Sequence, residues 1–86
     1  MADTLVTTLI LFFGRLGEQL GRERAITLAD ATTIGALRRR LAAEDDALAL
    51  LAGDGVRASI DQQVVTDDAT VRPGQEVAFF SPLSGG

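Results

Sequence analysis

The sequence predicts an α+β domain in which a mixed β-sheet carries one main helix across one face. Two apolar, β-branched segments come first, a single segment with helical periodicity follows, and three more short apolar segments close the chain. The 86 residues are 47% hydrophobic and 23% charged, which is enough apolar material for one small domain with a core. The expected order is therefore strand, strand, helix, a short second helix, and three strands.

The first two strands are predicted to form a hairpin. Residues 4–13 are rich in Thr, Val, Leu, Ile and Phe, and they are apolar on both faces, as in an inner strand. Gly14 ends this strand, and the stretch "GRLGEQLGRE" has the glycine content of a turn region. Residues 24–28 form the second strand.

The main helix is predicted at residues 34–43, with Thr33 as its N-cap. Ile34, Leu37 and Leu41 have the spacing of a buried stripe. The arginines at 38–40 lie largely off that stripe, so we interpret this basic run as a solvated helix face. A second, short helix at 47–51 would be capped by Asp45 or Asp46 and stopped by Gly53.

The last part of the chain predicts short strands joined by turns, at residues 56–60, 64–65 and 76–80. Pro73-Gly74 suits the centre of a type II turn before the final strand. Pro82 lacks a backbone donor, so sheet pairing should stop near it. The expected core contains Val6, Ile34, Leu37, Leu41, Ile60, Val77 and Phe79.

The composition argues against self-contained catalysis. There is no cysteine and no histidine, so the common thiolate nucleophile, neutral-pH proton shuttle and transition-metal ligands are missing. The net charge of −4 makes nucleic acid and anionic membranes poor partners. No segment has the apolar length of a membrane span or the pattern of a signal peptide, so a cytoplasmic location is expected.

The chain closes on "FFSPLSGG", and we expect residues 81–86 to form a flexible tail on a domain of residues 1–80. Six extended residues reach at most about 20 Å, enough to enter the active site of a neighbouring protein. Gly85 and Gly86 give the narrowest possible backbone at that point.

Four stretches, "LFFGRLGEQLG", "TIGALRRRLAA", "ASIDQQVV" and "VRPGQEVAFFSPLSGG", resemble the ubiquitin-like β-grasp sulfur carriers of the MoaD/ThiS family, and most closely the small subunits of molybdopterin synthase. They occur in the family's order and cover most of the chain, and the last stretch is the most specific. The family often has Asn where Asp61 stands and Pro where Ser81 stands. Asp61 still permits an Asx-type turn, and Ser81 makes the tail less stiff.

The resemblance implies a carrier for molybdenum cofactor synthesis. A ubiquitin-activating-type adenylating enzyme would use ATP to activate the Gly86 carboxylate, and a sulfurtransferase would supply the sulfur. The resulting thiocarboxylate would donate sulfur to the dithiolene in the active site of the synthase large subunit. This chain would bind no cofactor or metal. Its reactive end would be Gly85-Gly86, and its tail residues Ser81, Pro82, Leu83 and Ser84 would contact the partner.

Strand alternation extends this expectation to a docking face. Val77 and Phe79 share one face of the last strand, and Ala78 and Phe80 share the other. If the main helix covers Val77 and Phe79, Phe80 should point away from it, where Phe13 and Val64 would join it in a hydrophobic patch. The alternative is that the second helix or a loop buries Phe80. Two other functions remain open at this stage, a carrier for thiamine thiazole or another sulfur metabolite, and a modifier or interaction module that uses a sheet face.

Overall fold

The computed structural model describes residues 6–53 and 55–81. Its elements, in chain order, are β1 (Val6–Phe12), α1 (Arg15–Leu20), β2 (Glu23–Leu28), β3 (Thr32–Thr33), α2 (Ile34–Glu44), a 3-10 helix (Asp46–Ala52), β4 (Arg57–Ile60), β5 (Gln63–Val65), β6 (Thr70–Val71) and β7 (Glu76–Phe80). Neither α1 nor α2 is long and apolar enough to cross a bilayer, within the part of the chain described.

Five strands form one mixed sheet in the order β2-β1-β7-β4-β5. The pairs β1–β2, β4–β5 and β4–β7 are antiparallel, while β1 and β7 run parallel. The last long strand in the sequence therefore occupies the centre of the sheet. This arrangement confirms the predicted α+β class and the β1–β2 hairpin.

Helix α2 covers one face of the sheet, which we call the inner face. Its first turn is capped as predicted, because Thr33 Oγ1 accepts a hydrogen bond from the Ala36 N–H at 3.1 Å. Ile34, Leu37 and Leu41 are fully buried and pack with Val77 and Phe79 of the central strand. These residues and Ile60 confirm six of the seven predicted core positions.

Val6 is the exception, since it remains 39% exposed and the prediction that it is core was wrong. It lies at the first described position of β1, opposite Leu28 of the edge strand. A Cβ on Gly74 would stand 3.2 Å from Val6 Cγ1, so Val6 borders the Pro73-Gly74 turn. That turn has the predicted form, with Gly74 at φ 92° and the Gln75 N–H donating to the Arg72 carbonyl at 3.1 Å.

The predicted turn after β1 is wrong, because residues Arg15–Leu20 form helix α1. Leu16 is buried and Leu20 packs against the core, so tertiary contacts stabilise a helix that three nearby glycines disfavour. The small β3–β6 sheet was also missed. It joins two-residue strands, for which local sequence gives little signal.

The short second helix is present as a 3-10 helix, with Asp45 as its cap. Asp45 Oδ1 accepts from the Ala47 N–H at 2.9 Å, and its Oδ2 accepts from Arg24 at 3.0 Å. Leu48 and Leu51 are fully buried in the main core. This helix therefore packs on the α2 side of the sheet.

Arg38 corrects the interpretation of the basic run as a solvated face. Its side chain is only 12% exposed, and its Nε lies 3.0 Å from Asp67 Oδ1. Its Nη1 donates to the Leu51 carbonyl at 3.0 Å, and its Cζ lies 5.6 Å from the centre of the Phe79 ring. Arg39 and Arg40 are exposed, as expected.

Candidate docking face and tail exit

We call the sheet face opposite α2 the outer face. The strand registers determine which side chains lie on it. Phe12 pairs with Phe79 and Leu11 with Ala78 in the parallel β1–β7 ladder. Because paired residues point to the same side of a sheet, the odd positions of β1 lie on the outer face together with Ala78 and Phe80. On the other flank of β7, Arg57 pairs with Phe80 and Ser59 with Ala78.

One edge of the outer face is formed by three side chains, which we call the exit row: Phe13, Phe80 and Arg57. Phe80 is the middle member of this row. Extending the β1–β7 register by one residue places Phe13 on one side of it, and the β4–β7 register places Arg57 on the other. Phe13 is 52% exposed, Phe80 is partly buried and Arg57 is exposed. Ser81 follows Phe80 directly, so the chain leaves the sheet from the centre of this row.

The base of the tail is firmly anchored. The Phe13 N–H donates to the Phe79 carbonyl at 3.1 Å, which ties the end of β7 to the residue after β1. The Phe79 ring stacks against Phe12 on the inner face at a centroid distance of 6.3 Å. The Phe79 ring also packs under the Arg38 guanidinium. The position from which the chain continues is therefore fixed by a backbone hydrogen bond within the sheet and by packing on its inner face.

A shallow groove continues from the exit row across the outer face. It is lined by Leu11, Phe13, Ser59, Gln62, Val64, Glu76, Ala78 and Phe80. Val64 is 64% exposed and pairs with Ser59 at the far side of the groove. The groove is therefore an apolar surface with polar margins, as expected for a site that binds another protein.

The hairpin that carries Val64 is held in place by Asp61. Asp61 and Gln62 have φ values of 48° and 74°, which gives the β4–β5 turn its tight form. Asp61 Oδ1 accepts from the Glu76 N–H at 3.0 Å, and Oδ2 accepts from Gln75 Nε2 at 3.0 Å. The Asp61 N–H donates in turn to the Glu76 carbonyl at 2.8 Å. These bonds join Asp61 to distant residues of the sequence and are not the local Asx-type bonds that were expected at this position. They fix one wall of the groove to β7.

The structure brings together the three predicted docking residues of the folded domain. Phe13, Val64 and Phe80 line the same groove. The 3-10 helix lies on the inner side, so it does not bury Phe80. Ser81 is exposed and lies beyond the sheet. The predicted positions Pro82, Leu83, Ser84, Gly85 and Gly86 lie outside the described residues.

Strand alternation placed Ala78 on the same face as Phe80, and the structure confirms it. Sequence reasoning missed Leu11 and Arg57 as neighbours of these residues. Period-two alternation from Phe13 would have placed Leu11 on the same face. Arg57 had no comparable local signal, because its place beside Phe80 depends on the β4–β7 register. Among residues 6–53 and 55–81 there is no group of three potential metal ligands.

The sequence is similar to proteins of one family. The family model described as "ThiS family" matches residues 10–86. The molybdopterin synthase sulfur carrier subunit of Escherichia coli is 40% identical over 90% of this chain and 96% of its own length. The Haemophilus influenzae protein of the same name is 33% identical over the same shares of the two chains.

Solved structures show the same fold. Small archaeal modifier protein 1 of Haloferax volcanii has a TM-score of 0.74 at 19% identity, over 91% of this chain and 99% of the other. A ubiquitin of Caldiarchaeum subterraneum has a TM-score of 0.59 at 19% identity, over 96% of this chain and 100% of the other. The predicted ubiquitin-like β-grasp fold is therefore confirmed.

Proposed function

Because the chain belongs to the ThiS family, we propose that it is the sulfur carrier for molybdopterin synthesis, with Gly86 as the residue that carries the sulfur. The observation that carries this proposal is the 40% identity to a molybdopterin synthase sulfur carrier subunit across nearly the whole of both chains. The geometry supports it, because β7 is anchored up to Phe80, which lines an open apolar groove and precedes Gly85-Gly86 by only a few residues in the sequence.

The chemistry requires activation of a carboxylate that is otherwise a poor acylating agent. An oxygen of the Gly86 carboxylate attacks the α-phosphorus of ATP, and pyrophosphate leaves. A sulfur nucleophile from a donor protein then attacks the acyl carbon, and AMP leaves with the electron pair of the broken C–O bond. If the nucleophile is a persulfide, the product is an acyl disulfide, and a second thiol of the donor breaks its S–S bond, which leaves a disulfide on the donor and a thiocarboxylate on Gly86. The thiocarboxylate sulfur attacks a carbon of the dithiolene precursor and displaces an oxygen leaving group. Water then cleaves the acyl C–S bond of the resulting thioester, which leaves the sulfur on the precursor and restores the carboxylate.

These steps belong to partner proteins, since the chain has no cysteine or histidine. We assign activation to an adenylating enzyme of the ubiquitin-activating type, sulfur supply to a sulfurtransferase, and the final transfer to the synthase large subunit. The tail, residues 81–86, is proposed to act as a thin and extended arm that the domain of residues 1–80 delivers. Gly85 and Gly86 suit this role because a side chain near the acyl carbon would obstruct its approach to a reactive site.

The docking face gives the carrier a way to hold its partner while the tail reaches inward. Phe13, Val64 and Phe80 are proposed to be covered by the synthase large subunit. Aromatic residues at the centre of an interface are each worth about 2 kcal/mol or more. The tail residues Ser81, Pro82, Leu83 and Ser84 are proposed to line the same complex.

The test is the intact mass of the chain after incubation with ATP, a cognate activating enzyme and a sulfide source. We expect the mass to rise by the difference between sulfur and oxygen. A chain without Gly86, or with one residue added after it, should stay unmodified and should unfold at the same temperature as the unaltered chain. Full sulfur loading of the extended chain would contradict the proposal.

The choice of product is tested separately from the carrier role. The thiocarboxylated chain is mixed with the large subunit and the dithiolene precursor, and in parallel with a thiazole-forming system. We expect sulfur transfer only in the first mixture. Transfer only in the second would establish a thiamine carrier instead.

A further inference from the structure

The exit row contains a cation at an otherwise apolar position. Arg57 is paired with Phe80 across the β4–β7 ladder and lies on the outer face beside the point where the tail leaves. It is exposed, and it forms no ion pair with any residue in the described ranges. Three other arginines, Arg24, Arg38 and Arg40, each form one.

Among the described residues that line the pocket beside Arg57, one carboxylate is present. Arg57 borders a pocket that also contains Asp67. Asp67, however, is already engaged by Arg38 Nε at 3.0 Å. Two acidic residues of the outer face lie away from Arg57: Glu76 is at the opposite end of β7, and Glu23 pairs with Leu11 on the β2 side of the face. Glu18 and Glu23 line a pocket beside Phe13, at the other end of the exit row. Arg57 is therefore a cation on the β4 side of the exit row, in a chain of net charge −4.

From this placement we propose that Arg57 is a specificity-determining residue of the docking face, recognising a carboxylate on the synthase large subunit next to the opening that receives the tail. The inference rests on the proposed function and adds the charge that the partner must present. A subunit interface covers its central residues, so Arg57 would leave water together with Phe80. A cation that loses water in an interface needs an opposite charge there. The partner is therefore expected to be acidic at its contact with Arg57.

We assign the carboxylate to the large subunit, because a charge pair at this place would slow dissociation of a complex that must last through sulfur transfer. Close charge pairs in an interface slow dissociation and disfavour partners of the wrong charge. The tail must remain inserted while sulfur is transferred, and the exit row is the part of the domain nearest to the inserted tail. Recognition at Arg57 would align the carrier so that the tail faces the opening.

The experiment measures the dissociation constant of the complex with the large subunit for Arg57→Glu, Arg57→Gln and Arg57→Lys. We expect Arg57→Glu to weaken binding at least about tenfold near 50 mM salt, and by a smaller factor near 500 mM, because salt screens charges. Arg57→Gln should lie between the two, and Arg57→Lys should stay near the unaltered chain. The matched control is Arg39→Glu, which changes the net charge equally on exposed α2, behind the sheet.

The outcomes separate the inference from the proposed function. Equal effects of Arg57→Glu and Arg39→Glu would overturn it, since Arg57 would then be an ordinary solvated side chain. It would also be overturned if Arg57→Glu slowed thiocarboxylate formation but left affinity for the large subunit unchanged. Should Arg57→Glu fail to fold, Arg57→Gln and Arg57→Lys decide by the same comparison. If the unaltered chain formed no complex at all, the proposed function would fail together with the inference.

Discussion

Two adjacent phenylalanines in β7 should respond in opposite ways to truncation. Phe79 is fully buried, stacks against Phe12 at 6.3 Å and lies under the Arg38 guanidinium at 5.6 Å. Phe80 is partly exposed in the groove of the outer face. We expect Phe79→Ala to destabilise the isolated domain and Phe80→Ala to weaken its binding to the large subunit.

The magnitudes follow from burial. Removing a fully buried Phe costs about 3–5 kcal/mol, and loss of the contact with the Arg38 cation adds about 1 kcal/mol. Phe80→Ala removes a half-covered ring from a surface groove, so we expect the free energy of unfolding to fall by about 1 kcal/mol. Small domains have about 5–15 kcal/mol of stability in total, so Phe79→Ala consumes a large part of it. Phe79→Leu keeps more of the buried apolar volume than Phe79→Ala, so it should cost less and provides a milder variant that should remain folded.

The assay is urea unfolding followed by far-ultraviolet circular dichroism, because the chain has no tryptophan or tyrosine for fluorescence. Binding to the large subunit is measured in parallel, where Phe80→Ala should lose at least about tenfold, equivalent to about 1.4 kcal/mol. Equal destabilisation by Phe79→Ala and Phe80→Ala would refute the reasoning, since Phe80 would then be a core residue. Unchanged affinity after Phe80→Ala would place the docking surface elsewhere.

Two further predictions concern the stability of the domain alone. The Ala47 N–H, followed by the Arg24 guanidinium, lowers the pKa of Asp45 below its usual value. Its contribution to stability is therefore present above the unfolded pKa of about 3.9 and is lost as the pH falls through the lower folded pKa. As the pH is lowered, the melting temperature of Asp45→Asn should fall less steeply than that of the unaltered chain. Equal slopes for the two chains would contradict this role of Asp45. Gly74→Ala should cost about 1 kcal/mol or more in urea unfolding, because Gly74 has φ 92° and its new Cβ would stand 3.2 Å from Val6 Cγ1. Gly55→Ala is the control, since nothing lies within 4 Å of its Cβ position, and equal losses would rule out strain at Gly74.

The elements that local sequence specifies were predicted well. Helix α2 has its cap at Thr33 and its stripe of buried residues in consecutive turns, so neighbouring residues contain the whole signal. Strand β7 was predicted with the bounds that the structure has, because the Pro73-Gly74 turn precedes it and Pro82 stands just beyond it. The outward direction of Phe80 followed from strand alternation in the same way.

What the sequence left open depends on contacts between distant segments. Helix α1 was missed because Gly17 suggested a turn, whereas a Cβ there would stand 2.7 Å from the Phe12 carbonyl oxygen. This glycine therefore permits close packing of α1 on β1. Arg38 is four residues from Ile34 and so lies beside the buried stripe, but its partners Leu51 and Asp67 come from other elements. Arg57 could be placed beside Phe80 only once the register of β4 on β7 was known.

The central place of β7 has a consequence for how the carrier is made. During synthesis, β1, β2, α2 and β4 all emerge before Glu76–Phe80, yet β1 and β4 meet only through that last strand. The sheet therefore cannot close until the segment that leads into the tail has been translated. A chain interrupted before Glu76 would lack both the centre of its sheet and the docking groove. An interrupted chain would therefore also lack the surface that we propose for binding the partner.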